Sequence, residues 1–432
     1  MRYLLVFLAL IPLVFDPAAD LPYEPPKVFL ITSGIFFSLL VVGVLFLIKD
    51  QNFSRRDGSV AWHHLDAAVL VYGLTLVIST FLSRDFWSSF FGSEERMIGL
   101  YYYLALFALY FFVRRTASEN DWKFFLRTTT FVAALGSLYA IMQWFNLDLP
   151  SLKHAFPLYG QTGPTRAFST FGHPNFLGAY LAMVLPFAVY QFFSDSNQRW
   201  RIAALVTSVL TLGAILLTYS RGAWLAALAA LLWVWFLSKP HPRRWYVERL
   251  VPIFLGGCAL LAVLVVLRPM IQDLRSAAVY RVVSTVDWQR GSTLARVNEW
   301  KFALPYLLER PIFGYGFDTY YDVAILREKD PRESSPDFQG ADPSVADRLH
   351  NIFLDIAWAS GFVGLIAFLA LLISAGRTAI ERGRSELLRP WIVTVTASLA
   401  AYLVGNLFSF DFSLSGLWFF LLLAGLRARP PV

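Results

Sequence analysis

Long apolar stretches broken by short polar ones set the pattern of this chain from end to end. Runs near 3–15, 27–48, 66–83, 98–113, 124–144 and 175–193 are followed by runs near 202–218, 223–238, 250–267, 352–375, 390–409 and 414–426. A membrane helix needs about 20 mostly apolar residues, because hydrocarbon offers no water to a backbone that is not bonded within itself. The pattern predicts an all-α polytopic membrane protein with about 12 transmembrane helices. Residues 268–351 do not fit a simple connecting loop. They combine an amphipathic helical stretch (STLARVNEWKFALPYLLER), a Gly-rich bend (PIFGYGFDTYYD) and an acidic, Pro-rich stretch (REKDPRESSPDFQGADPS). A loop of this length with a periodicity of its own generally carries function. The chain accordingly divides into 1–267 with the first helices, the large loop 268–351, and 352–432 with the last helices.

Composition agrees with a bilayer as solvent: 57% of the 432 residues are hydrophobic and 16% charged, against roughly a quarter charged in soluble domains. The single cysteine, Cys258, excludes an intramolecular disulfide and reads as packing.

A net charge of +7 changes the picture through its distribution. No basic run interleaved with aromatics resembles a nucleic-acid face. Short cytoplasmic loops collect Lys and Arg, and placing the N-terminus inside puts Lys49, Arg55, Arg56, Arg114, Arg115, Lys123, Arg199 and Arg201 there. Lys239, Arg243, Arg244, Arg249, Arg377, Arg382, Arg384, Arg389, Arg427 and Arg429 follow. Both ends are then expected to be cytoplasmic, with 268–351 on the outer, periplasmic side. The first run is short enough to be a signal peptide, although no A-x-A cleavage pattern follows it.

With that orientation, arginines in outer segments need a reason. Arg96 follows FFGSEE, Arg166 precedes AFSTFGHPN, Arg221 lies in TYSRGAW between two apolar runs, and Arg296 lies in STLARVNEW. A guanidinium is a planar fork of donors that fits phosphate oxygens and keeps its charge when partly desolvated, so a convergent set would suit a pyrophosphate. Taken singly, each could equally snorkel to the interface or pair with a carboxylate such as Glu94, Glu95 or Glu299. Gly222, beside Arg221, would permit close backbone approach.

Among outer histidines only His350 stands at a junction, where the long loop re-enters the membrane (DRLHNIFLDIAWASGFVG). Histidine is the commonest general base, but a hydrogen-bonded structural histidine is the stronger reading from the residue alone. Neither H-E-x-x-H nor a P-loop is present, so neither a metal nor a nucleotide is expected. A transfer reaction outside the membrane would need a donor already activated, as a lipid pyrophosphate is.

HNIFLDIAWASGFVG resembles the signature of the O-antigen ligase superfamily: His350 and Asn351, nine residues, Gly361, two residues, Gly364. The stretch from Arg296 through Trp300, Pro311, Gly314 and Gly316, SRGAW at Arg221, and RAFSTFGHPNFLGAY are similar to this family as well. The resemblance implies a lipid-linked glycosyltransferase fold in the bacterial inner membrane, needing no cofactor and no metal. It implies an O-antigen ligase that moves a glycan from undecaprenyl pyrophosphate to lipid A-core at the periplasmic face with inversion. His350 would be the general base, with Arg221 and Arg296 on the donor pyrophosphate, while Arg96, Arg166 and Asn351 would contact substrate. Where the family is expected to carry Asn, this chain has His173, read as structural. The same resemblance covers polymerases and protein O-oligosaccharyltransferases, which share the donor and differ in the acceptor. A glycolipid transporter is the alternative from another class, and it would carry polar groups through the bilayer midplane.

Overall fold

The computed structural model describes residues 1–48, 62–145, 147, 166–238, 291–323 and 348–428. The expected span 250–267 with Cys258, the acidic stretch 327–347, and the basic residues Lys49, Arg55, Arg56, Lys239, Arg243, Arg244, Arg249 and Arg429 lie outside the described residues. The described chain is helical throughout, with no strand. Its principal helices are α1 (Arg2–Leu10), α2 (Glu24–Ile48), α3 (His64–Phe81), α4 (Phe86–Phe91), α5 (Leu100–Thr116), α6 (Glu119–Trp144) and α7 (Pro174–Ser194). They continue with α8 (Gln198–Leu217), α9 (Arg221–Leu237), α10 (Gly291–Glu309), α11 (Ile352–Gly383), α12 (Arg389–Asn406) and α13 (Ser413–Gly425).

The other expected spans all fall on helices. Among the described residues six helices, α2, α3, α6, α7, α8 and α11, are long and apolar enough to cross a membrane. Of the six other expected spans, 250–267 lies outside the described residues, α1, α5, α9 and α13 have only 9, 17, 17 and 13 residues, and α12, with 18, is not apolar enough along its length.

Packing is inverted relative to a soluble protein, in that both the inside and the outside are apolar. α7 is buried from Pro174 to Gln191 except at Asn175 and Ala179, and touches α8, α9 and α12. α13 is buried along its whole length. Between them Trp391, Trp418, Phe187 and Trp122 interlock at ring separations of 5.4 to 5.7 Å, mostly edge to face as ring quadrupoles prefer. Leu228, Leu232 and Phe236 on α9 and Ile366 and Ile373 on α11 point outward. Such a face is stable where the surrounding solvent is hydrocarbon.

Local chemistry sets the ends. α6 begins several residues before its apolar run because Ser118 and Asp121 form a reciprocal capping box. At the opposite end of the bundle from His350, Arg114 pairs with Asp66 at 2.8 Å, Arg127 with Asp195 at 2.8 Å, and Arg2 lies 3.8 Å from Asp121.

α11 is not the continuous span that its apolar pattern suggests. Gly361 has φ 65° and ψ −171°, which breaks the helix into two pieces. The freed groups pair with the Gly-rich bend after α10: Phe362 N donates to Pro311 O at 2.7 Å, Tyr315 N to Trp358 O at 2.7 Å and Gly316 N to Ala359 O at 3.0 Å. Contact is so close that a Cβ on Gly361 would stand 2.2 Å from Ile312 O, and one on Gly314 2.3 Å from Trp358 O. The glycines of two separate sequence motifs therefore form one joint, and that joint aims the residues before α11.

Candidate active site

Only Thr218, Tyr219 and Ser220 join α8 to α9, and Tyr219 makes so tight a turn possible by taking φ 49°. Arg221 is consequently fixed in the first turn of α9, where free backbone N–H groups and the helix dipole already favour an anion. Arg166 is drawn to the same turn: its Nε donates to Thr218 O at 2.9 Å and its Nη2 to Asn175 Oδ1 at 3.0 Å. From the other side α10 brings in Arg296. Burial holds this guanidinium below the ordinary arginine range, the charge of Arg221 pushes the same way, and Glu299 opposes.

These three arginines, with Asn175, Ser220 and Ser409, line one cavity of about 110 Å³. No carboxylate lines it among the described residues. Three forks of donors around one carboxylate-free space form a receptor for a multiply charged anion. Gly222 is not sterically required for this: a Cβ there would meet Gly405 O at an ordinary 3.6 Å.

His350 stands in the turn that leads into α11, with φ 51°. Arg348 O lies 2.9 Å from its Nδ1, and since a carbonyl can only accept, Nδ1 carries a proton, which leaves the lone pair of the neutral ring on Nε2. Glu299 Oε2 stands 3.5 Å from the same Nδ1. The ring meets Phe410 edge to face at 5.1 Å. Arg96 stacks on that same Phe410 at 4.3 Å, so it joins the histidine corner and does not line the cavity of the other three arginines. Asn351 caps α11, its Oδ1 accepting from Phe353 N and Leu354 N at 3.0 and 3.2 Å, while its Nδ2 donates to Leu407 O at 3.2 Å.

Two elements make the cavity and the corner a single site. α10 carries Arg296 to the cavity and, one turn on, Glu299 to His350. The turn between α12 and α13 receives Asn351 at Leu407, lines the cavity with Phe408 and Ser409, and presents Phe410 to the histidine. Strain gathers here too. The non-glycine residues with positive φ among those described are Met97, Ser169, Tyr219, Asp318 and His350, and each such conformation costs on the order of 1 kcal/mol or more. Met97 and His350 adjoin Arg96 and Asn351, Tyr219 and Ser169 lie close to Arg221 and Arg166 in the chain, and Asp318 pairs with Arg348.

Several contributors escaped the sequence reading. Arg348 is buried and ion-paired to Asp318, which also accepts from Ser93 N at 2.8 Å beside the Arg96 segment. Asp411 is enclosed, and burial pushes its carboxyl up to about 6, against opposing contributions from Ser415, Arg348, Tyr402 and Tyr103. Lys27 donates to Thr170 O at 2.8 Å and steadies the turn after Arg166. None of these lies in a motif of its own; nearness in space is their only signal. His173 has the structural place expected of it, as N-cap of α7 accepting from Asn175 N at 3.2 Å.

The family model of O-antigen ligase matches residues 206–369, a segment that holds Arg221, Arg296, His350 and both glycines of the α11 signature. That segment, less than half of the chain, is similar to the O-antigen ligase family. No curated protein matches the chain. For an O-antigen ligase family member the coarse chemistry is glycan transfer of the ligase or polymerase type, and the apolar helices make it an integral membrane protein. Arg96 and Arg166 lie before the matched segment, so their place in the site rests on geometry alone.

Proposed function

We propose that this protein is an O-antigen ligase, transferring a glycan from undecaprenyl pyrophosphate to a sugar hydroxyl of lipid A-core at the periplasmic face of the inner membrane. The observation that carries the reading is the meeting of Arg166, Arg221 and Arg296 around one cavity that no carboxylate lines among the described residues, tied by α10 to His350, whose Nδ1 faces Arg348 O and Glu299.

In this reading the donor diphosphate sits against Arg221, Arg296 and the first turn of α9, with Arg166 beside it. Nε2 of His350 takes the proton of the acceptor hydroxyl. The hydroxyl oxygen forms a bond to the anomeric carbon as the bond from that carbon to the diphosphate oxygen breaks on the opposite face, which inverts the centre. The departing diphosphate keeps the bonding electrons, and the arginines stabilise the charge that develops on it. The proton then passes from His350 to solvent or to the leaving group. Arg96 contacts sugar or phosphate from the Phe410 side, and Asn351 holds the turn that presents the base.

Reconstitution with a polyprenyl-pyrophosphate glycan and lipid-linked core tests this. Product carrying one donor glycan is expected, and His350→Ala should lower turnover by on the order of 10³-fold with the protein still monodisperse. A ladder grown from donor alone would make the protein a polymerase, and glycosylated protein would make it a protein O-oligosaccharyltransferase. Movement of intact donor across the bilayer with no transfer would make it a transporter. Full turnover in His350→Ala would overturn the general-base mechanism.

A further inference from the structure

We infer that Glu299 is the positioning residue for His350, holding the ring in its reactive tautomer and balancing the charge it gains when it takes up a proton. The inference rests on the reading of His350 as general base.

Glu299 and Trp300 are consecutive on α10, and each grips the turn before α11. Trp300 Nε1 donates to Leu349 O at 2.7 Å, while Glu299 Oε2 faces His350 Nδ1 at 3.5 Å. That carboxylate oxygen is shut off from solvent and has no ordinary hydrogen-bond partner among the described residues. A buried carboxylate oxygen without a donor is costly, and such a cost is tolerated where a charge appears during function. Here the charge would appear on the imidazole. The Nδ1 proton, already directed at Arg348 O, lies between two acceptors, so rotation of the ring to offer Nδ1 to the substrate would lose both. As the acceptor proton arrives on Nε2, the ring becomes a cation with Glu299 beside it and Arg348 O still bonded. Glu299 takes up no proton in this step, and the only proton to move is the one from the acceptor hydroxyl to Nε2. A histidine between its substrate and an orienting carboxylate is a general device of proton transfer.

A competing role is available on the page. Glu299 also bears on Arg296, one turn earlier on α10, and could serve only to hold that arginine for the donor. Kinetics separate the two. Glu299→Gln keeps the shape and removes the charge. The expected result is a fall in kcat of roughly 10- to 100-fold, KM for donor and acceptor within about twofold, and partial recovery in Glu299→Asp. The double variant Glu299→Gln/His350→Ala should be no slower than His350→Ala, since the two groups act through one proton transfer. Unchanged kcat in Glu299→Gln, with His350→Ala inactive, would overturn the inference and leave the base intact. A raised donor KM at unchanged kcat would assign Glu299 to Arg296 instead. Activity retained in His350→Ala would remove the base itself and this inference with it.

Discussion

The two ends of the helical bundle treat arginine in opposite ways. At the end holding His63, Arg114 meets the wholly buried Asp66, which also accepts from Tyr110 OH at 2.7 Å, and Arg127 makes two bonds to Asp195 at 3.0 and 2.8 Å. These arginines are neutralised by carboxylate partners, and helix starts there are capped in the ordinary manner. At the other end Arg166, Arg221 and Arg296 line a cavity with no carboxylate in its wall among the described residues, and the backbone carries positive φ at Tyr219 and His350. The contrast separates arginines paired with carboxylates from arginines gathered around one cavity. An ion pair is a structural element, whereas guanidinium groups that line a shared cavity present donors that fit an anionic ligand.

The largest effect expected from this contrast is on catalysis. Arg221→Lys and Arg296→Lys keep the charge but lose the fork, and each should slow transfer on the order of 10²-fold with little change in melting temperature in detergent. Near-normal rates in both variants would erase the distinction between the ends. Gly361→Ala sharpens it differently: its Cβ would sit 2.2 Å from Ile312 O at φ 65°, so the joint between α11 and residues 311–316 must open. Losses of both activity and melting temperature are expected, and a variant that melts normally would show that the joint tolerates a side chain.

Arg114→Ala should do the reverse of the lysine variants. Left without its partner, buried Asp66 costs about 3 kcal/mol, seen as a lowered melting temperature, while the specific rate of the folded fraction stays normal. The smallest effect concerns pH. Asp411 is held up to about 6, above the ordinary carboxylate range, so the folded state binds its proton more tightly than the unfolded chain. Its ionisation therefore costs stability above about pH 6, a cost relieved as pH falls toward about 4 and amounting to at most roughly 3 kcal/mol. Melting curves of the wild type should gain from that fall in pH relative to Asp411→Asn, and identical pH dependence in the two would remove Asp411 as the source.

Much of this was legible in the sequence because it depends on local pattern. The run at 175–193 became a helix at Pro174–Ser194, and arginines standing against the charge bias marked segments that the fold brings to one end. What could not be read depends on partners distant along the chain. The break at Gly361 looks like uninterrupted apolar helix until residues 311–316 arrive to satisfy the opened backbone. Glu299 reads equally well as a partner for an arginine, and only the clamp of Trp300 on Leu349 O turns it toward His350. Arg96 parted from the other arginines because Phe410, far along the chain, captured its guanidinium.

The break in α11 also sets an altitude. Residues 362–383 alone rise about 33 Å at 1.5 Å per residue, enough to cover the roughly 30 Å of hydrocarbon in a bilayer. The piece before Gly361 is thus surplus to crossing, a short pedestal that would lift His350 to the level of the lipid headgroups, where the diphosphate of a membrane-anchored donor would float. Lengthening or shortening that pedestal by a turn would move His350 off that plane while leaving Arg166 and Arg221 in place.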